Sequence, residues 1–196
     1  MEHPWAAVID GYVWTLDEVD LRKPIKQFPD YPWLRECTEI WLREPLTAWP
    51  KSRRMMMSWL MVWLHLWLAM TGEGRAVYFQ SEKEEKSDKL IKRAEFIYNH
   101  LPRGDLALPK LRGGRAMWCL MDFRGLHSYI QGVPQGRNQI RGDTATAVLL
   151  DEAAFWEHGR ESFAGLRPAI EGGGKIAILS SAQAGWYRDL CWDCVT

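Results

Sequence analysis

The sequence has little cysteine, no net charge, no apolar run of membrane length and no complete phosphate-loop consensus, and each shortage removes a class of protein. Its four cysteines, Cys37, Cys119, Cys191 and Cys194, are too few and too scattered for a secreted disulfide framework, so a reducing cytosol is expected. Cys191 and Cys194 in "CWDC" have the spacing of half a zinc site. No second cysteine pair or histidine cluster completes it, and they read as two incidental thiols. Lys+Arg and Asp+Glu balance at 25 each, which excludes a globally basic surface; any contact with nucleic acid must come from a local patch. The opening "MEHPWAAVIDGYVW" carries acids early and lacks the apolar region of a signal peptide. Internal repeats and low-complexity tracts are also missing.

What is present suits an α/β or α+β domain: 196 residues with 47% hydrophobic content can bury one sizeable core. The longest apolar stretch, Met55 to Met70, falls short of the roughly 20 residues a spanning helix needs, and it contains Ser58 and His65. No membrane contact is expected. Trp59, Trp63 and Trp67 recur every fourth residue, as do Leu60, Leu64 and Leu68, which predicts a helix apolar on almost every side and buried between a sheet and another layer. His65 then reads as a packed core histidine, and the tryptophans at helical spacing as core, not as stacking platforms for bases.

The segment before that helix carries charge. "EPLTAW" (Glu44 to Trp49) predicts a short strand that Pro50 breaks, and "KSRRMMMS" a strand-to-helix loop. A phosphate-cradling loop has the spacing G-x-x-x-x-G-K-[ST], because small residues let amides curl round phosphates, a Lys offsets their charge and the hydroxyl ligates Mg²⁺. With Ser58 on the hydroxyl, Met57 takes the Lys slot, Met56 the second Gly and Lys51 the first, so the pattern fails. Lys51, Arg53 and Arg54 still bring positive charge to a helix N-terminus. A solvated basic turn is the alternative.

Two later strands add chemistry. "TAVLLDEAAFW" (Thr146 to Trp156) is a buried apolar strand ending in two adjacent carboxylates, of which Asp151 suits a Mg²⁺ shell and Glu152 the activation of water. An ordinary Asp-Glu turn would be the plain reading. In "GGGKIAILSSAQAGWYRDL", Lys175 to Leu179 predicts a strand that stops at Ser180, Ser181 and Ala182, where hydroxyls at a strand tip could sense a γ-phosphate.

A basic loop entering a helix, a DE strand roughly 90 residues on and a Ser-Ser-Ala strand about 30 later is the order of additional-strand catalytic-glutamate ATPases. Within that class the chain resembles the ATPase domain of the large terminase subunit of tailed bacteriophages. "KSRRMMMSW" is similar to that family's deviant loop with its basic residue displaced to the front. "IRGDTATAVLLDEAAFW" resembles its acidic segment, "ILSSAQAG" its coupling motif, and "PIKQFPDYPWL" an N-terminal piece.

The resemblance implies a three-layer P-loop NTPase fold of RecA-like type, with a mainly parallel central sheet flanked by helices. It implies one ATPase domain over 1–196, with an adenine-side segment over 1–43, a core over 44–196 and no C-terminal nuclease. The loop formed by Lys51, Ser52, Arg53, Arg54, Met55, Met56, Met57 and Ser58 would wrap the phosphates of ATP. Ser58 and Asp151 would hold Mg²⁺, Glu152 would activate water, and Ser180 and Ser181 would couple hydrolysis to movement. Gln27 and Phe28 would contact adenine, and Arg141 would be the trans-acting arginine of a ring of identical copies. The implied partners are double-stranded DNA, the portal protein and the small terminase subunit, at the viral procapsid in the host cytoplasm. Met56-Met57 in place of Gly-Lys departs from the stricter loop. A helicase-like translocase and a non-hydrolytic nucleotide-binding scaffold stay open.

Elsewhere, "RAVYFQS" predicts a strand and "SEKEEKSDKLIKRAEFIYNHLP" a helix capped by Ser81, with Glu84 in capping-box position and a solvated charged face. "RAMWCLMDF" and "LHSYIQGV" predict a hairpin. Pro102 to Arg115 is the expected long loop, whose Arg103, Lys110, Arg112 and Arg115 suit either solvent or a phosphate backbone.

Overall fold

The computed structural model of the protein describes residues 2–17, 20–136, 140 and 144–193. An N-terminal section comprises α1 (Pro4–Ile9), the antiparallel pair β1 (Trp14–Leu16) and β2 (Ile25–Gln27), and α2 (Pro32–Arg43). Then come β3 (Leu46–Pro50), α3 (Met57–Thr71), β4 (Ala76–Ser81), α4 (Glu84–His100), β5 (Leu120–Phe123), β6 (Ser128–Pro134), β7 (Ala147–Asp151), α5 (Gly159–Glu171), β8 (Lys175–Ser180) and α6 (Trp186–Arg188). The six later strands form one sheet in the order β3-β8-β7-β4-β6-β5, parallel throughout except for β5, which runs against β6. This is the expected α/β fold of a P-loop NTPase, a mainly parallel sheet between two helical layers.

The layers follow from the period of two along each strand. Val77, Phe79, Leu149, Ala177 and Leu179 face one core, shared with α3 and α4; Tyr78, Val148, Leu150, Ile176 and Ile178 face the other, beside α5 and α6. Both faces are covered, so β4 is buried along its whole length and β7 up to Asp151. Helix α3 supplies much of the first core. Leu60 through Leu64 and Leu66 are fully shielded from solvent, as the all-round apolar pattern required. His65 sits among them, its Nδ1–H donating to the Met61 carbonyl at 2.7 Å. The start of β8 is tied to α2 by Lys175, whose ammonium donates to the carbonyls of Trp41, Leu42 and Glu44 at 2.8, 3.0 and 2.9 Å, satisfying acceptors that a helix end leaves open.

Two local expectations are corrected. Pro50 does not break its strand but is the last residue of β3, pairing with Ser180; β3 is an edge strand, where a missing N–H is tolerated. Ser81 is the last residue of β4 and not a helix cap. Lys83 precedes α4 with no side-chain cap, and Glu84 instead accepts a hydrogen bond from the Trp118 indole at 3.0 Å. The β5–β6 hairpin is as expected, and the 102–115 connection contains only one short 3₁₀ turn, Arg112–Gly114. No helix among the described residues is long and apolar enough to cross a membrane.

Candidate functional site

Strand order decides what meets at the carboxyl edge of the sheet. β8 lies between β3 and β7, and the register sets Pro50 beside Ser180 and Asp151 beside Leu179, so the three strands end at one level. In open α/β sheets ligands collect at that edge. The loop leaving β3 and the acids ending β7 are therefore neighbours.

The loop has an unusual backbone. Arg54 and Met56 have φ of 65° and 56°, in the left-handed region that costs a side-chain-bearing residue roughly 1 kcal/mol each. Met56 stands where the consensus has its second glycine, so the turn takes the glycine conformation without glycine. Lys51 N–H donates to the Ser180 carbonyl at 2.9 Å and anchors the loop to β8. Helix α3 begins directly after Met56 with no side-chain cap, so its first N–H groups and the positive end of its dipole face the loop. Met57, in the Lys slot, is 4% exposed and packs into the core.

Five side chains close the site. Lys51 Nζ lies 2.5 Å from Glu152 Oε1, and the Lys51 side chain is only 9% exposed. Ser58 Oγ donates to Asp151 Oδ1 at 3.1 Å. Glu152 Oε2 accepts from Ser181 N–H at 3.0 Å, and the Ser180 hydroxyl stands 3.5 Å from the same oxygen while accepting from Ala154 N–H at 3.1 Å. Glu152 is itself left-handed, φ 54° and ψ 40°, the turn that swings its carboxylate back over β8.

The two carboxyls are tuned in opposite directions. Burial raises the Asp151 pKa, and Lys51, Arg93 and the Ser58 hydroxyl only partly oppose it. Burial also pushes Glu152 up, but the hydrogen bonds from Lys51 and Ser181 outweigh it, leaving that carboxyl below its usual range. Ser58 and Asp151 are hard oxygen donors on adjacent elements, a set that fits Mg²⁺, which takes few protein ligands and completes its shell with water and phosphate.

Beside these groups opens a cleft of about 810 Å³. One wall is Lys51, Ser52 and Arg54 through Ser58; the other comes from the β1–β2 hairpin, including Gln27, followed by Tyr31; Arg93 of α4 completes it. Gln27 Nε2 donates to the Gly11 carbonyl at 3.2 Å. Gly11 has φ 71°, in the left-handed region that favours glycine, and a Cβ there would displace the Gln27 amide, 2.6 Å away. Two of the expected residues stand elsewhere. Phe28 is 4% exposed, its ring edge-on to Trp5 in the core, so it does not line the cleft, whereas Tyr31 does. Arg53 is solvent-exposed and outside the lining. Arg141 and Cys194 lie outside the described residues. Tyr31 falls within the "PIKQFPDYPWL" segment but is not singled out there, and Arg93 has no motif to mark it; only the fold brings them to the cleft. A second depression, about 530 Å³, lies past β8 among Ala182, Gln183, Tyr187, Arg188 and Trp192.

No family model and no curated protein matches the sequence. Solved structures match the fold. The Thermus phage P74-26 large terminase ATPase domain, in a mutant form, aligns with a TM-score of 0.62 at 12% identity over 83% of this chain and 70% of that one. The HK97 bacteriophage large terminase aligns at 0.65 and 10% identity, over 94% of this chain and 38% of that one. The large terminase of a thermophilic bacteriophage, in complex with ADP, aligns at 0.55 and 14% over 79% and 37%. This chain thus spans less than half the length of those last two large terminases. At these identities the likeness is one of fold: the chain has the fold of the ATPase domains of phage large terminases.

Proposed function

We propose that the chain is a Mg²⁺-dependent ATPase domain that powers movement of double-stranded viral DNA into a procapsid. The observation that carries the reading is the meeting of Lys51 and Ser58, from the loop after β3, with Glu152 and Asp151, at the end of β7, across the interposed β8. The fold likeness to large terminases, one of them in complex with ADP, supports it.

In this mechanism the amides of the loop and of the first turn of α3 receive phosphate oxygens, and Gln27 stands at the base end of the cleft. Ser58 and Asp151 would hold Mg²⁺, which supplies charge neutralisation at the phosphates. The polyphosphate carries several negative charges against one on Glu152, so Lys51 transfers to it. Glu152, released, orients a water and takes its proton as the water oxygen bonds the γ-phosphorus and the bond to the β-bridging oxygen breaks. Ser181 N–H continues to hold Glu152, and Ser180 ties β8 to the segment after β7. A change at the carboxylate is thereby passed to the strand, which is the coupling role of these serines. Arg141 is the proposed trans-acting arginine from a neighbouring copy in a ring. DNA, the portal protein and the small terminase subunit are the proposed partners, at the procapsid in the host cytoplasm.

The burial of Met57 where a phosphate lysine is usual favours one competing reading, a nucleotide-binding scaffold without turnover. Phosphate release from Mg²⁺-ATP by the wild type and by Glu152→Gln, with and without duplex DNA, separates the two. Turnover lost in the variant supports the ATPase; a wild type that binds ATP but releases no phosphate under any of these conditions supports the scaffold.

A further inference from the structure

The loop has lost the lysine that usually neutralises the phosphates, and the cleft holds a cation from another element. Arg93 lies in α4, a helix whose charges the sequence assigns to solvent. Its side chain is half-buried and lines the cleft together with Lys51 and Ser58. The guanidinium carbon stands 5.6 Å from the ring centre of Trp59, the residue next to Ser58 in the first turn of α3. Phe96, one turn beyond Arg93 on the same helix, packs edge-on to the same indole at 5.8 Å, and His100 lies tilted against Phe96 at 4.2 Å. Trp59 is therefore gripped from α4 and forms a platform that restricts Arg93. A guanidinium so restrained loses little rotamer freedom when it binds, and its planar fork matches phosphate oxygens in pairs.

We propose that Arg93 is a phosphate-binding residue of this cleft, supplying from α4 the positive charge that the β3–α3 loop lacks at Met57. The inference rests on the nucleotide reading above and deepens it: the loop's cation is divided between Lys51, ahead of the consensus slot, and Arg93, outside the loop. The aromatic row of Trp59, Phe96 and His100 then has a function in the site besides packing.

The test compares wild type, Arg93→Gln and Arg93→Lys in the full chain, titrating a non-hydrolysable ATP analogue and AMP in the presence of Mg²⁺. The quantity read is the ratio of triphosphate to monophosphate affinity, which a general loosening of the fold does not move. Arg93→Gln is expected to lower that ratio at least tenfold, and Arg93→Lys to restore part of it, because charge returns without the fork. An unchanged ratio in Arg93→Gln, with wild-type binding intact, overturns the Arg93 assignment and leaves the nucleotide site standing. A wild type that binds neither ligand overturns the nucleotide reading and this inference together.

Discussion

The ammonium of Lys51 rests 2.5 Å from Oε1 of Glu152, although 101 residues separate the two in the chain. In the proposed reading, the cation for phosphate is held at rest by the carboxylate for water. Each would occupy the other until a nucleotide arrives, and binding and activation of the base would be one event.

That exchange sets an expectation for affinity apart from turnover. Glu152→Gln removes the charge that competes for Lys51, so the variant is expected to bind an ATP analogue as tightly as the wild type or a few-fold more tightly. Its hydrolysis should fall by about two orders of magnitude or more. Equilibrium titration and single-turnover phosphate release give the two numbers; weaker binding in the variant would argue that Lys51 does not transfer.

The Ser58–Asp151 pair predicts a metal phenotype. Ser58→Ala removes an oxygen ligand and Asp151→Asn the negative charge, so each should raise the Mg²⁺ concentration needed for half-maximal nucleotide binding, by roughly tenfold. Nucleotide binding with an unchanged Mg²⁺ requirement would remove both residues from the metal site.

Phe28 and Tyr31 should behave differently. Phe28 is enclosed beside Trp5, and Phe28→Ala is expected to cost about 3 kcal/mol or more in unfolding free energy, as truncation of a core aromatic does, without changing the preference for ATP over GTP. Tyr31→Ala, at an exposed ring on the cleft wall, should leave stability nearly unchanged and weaken nucleotide binding. Urea unfolding and competition titrations read both outcomes.

His65 makes stability depend on pH. Burial holds its imidazole down to about 4, against 6.5 when free. As pH falls through 6.5 the unfolded chain takes up a proton that the folded chain refuses, so stability declines between those values, by up to about 3 kcal/mol in total, and is fully present above 6.5. His65→Leu is expected to flatten that share of the decline between pH 7.5 and 5 in urea unfolding. Equal slopes in both proteins would show that His65 is not the group responsible.

Much of this molecule was legible in the sequence because its signals were local. The Trp and Leu rows of α3, the apolar run of β7 and the apolar run of β8 before Ser180 each follow from the pattern within one element, whereas the pairings of Lys51 with Glu152 and Ser58 with Asp151 come from the strand order, which no local pattern shows. The type of Phe28 and its place beside Gln27 suit a base contact, but its burial off the cleft depends on where Trp5 packs, which no local pattern shows. Ser81 matched a capping pattern but was needed in β4. Arg93 carried no signal: its place in the cleft arises from α4 packing against α3, a tertiary contact between helices whose own patterns said only that one is buried and the other charged.

The most direct test is a structure of the chain with a non-hydrolysable ATP analogue and Mg²⁺. The expected result has the triphosphate in the cleft, Mg²⁺ on Ser58 and Asp151, and Lys51 moved from Glu152 onto phosphate. An analogue bound elsewhere, with the Lys51–Glu152 ion pair still closed, would contradict the account.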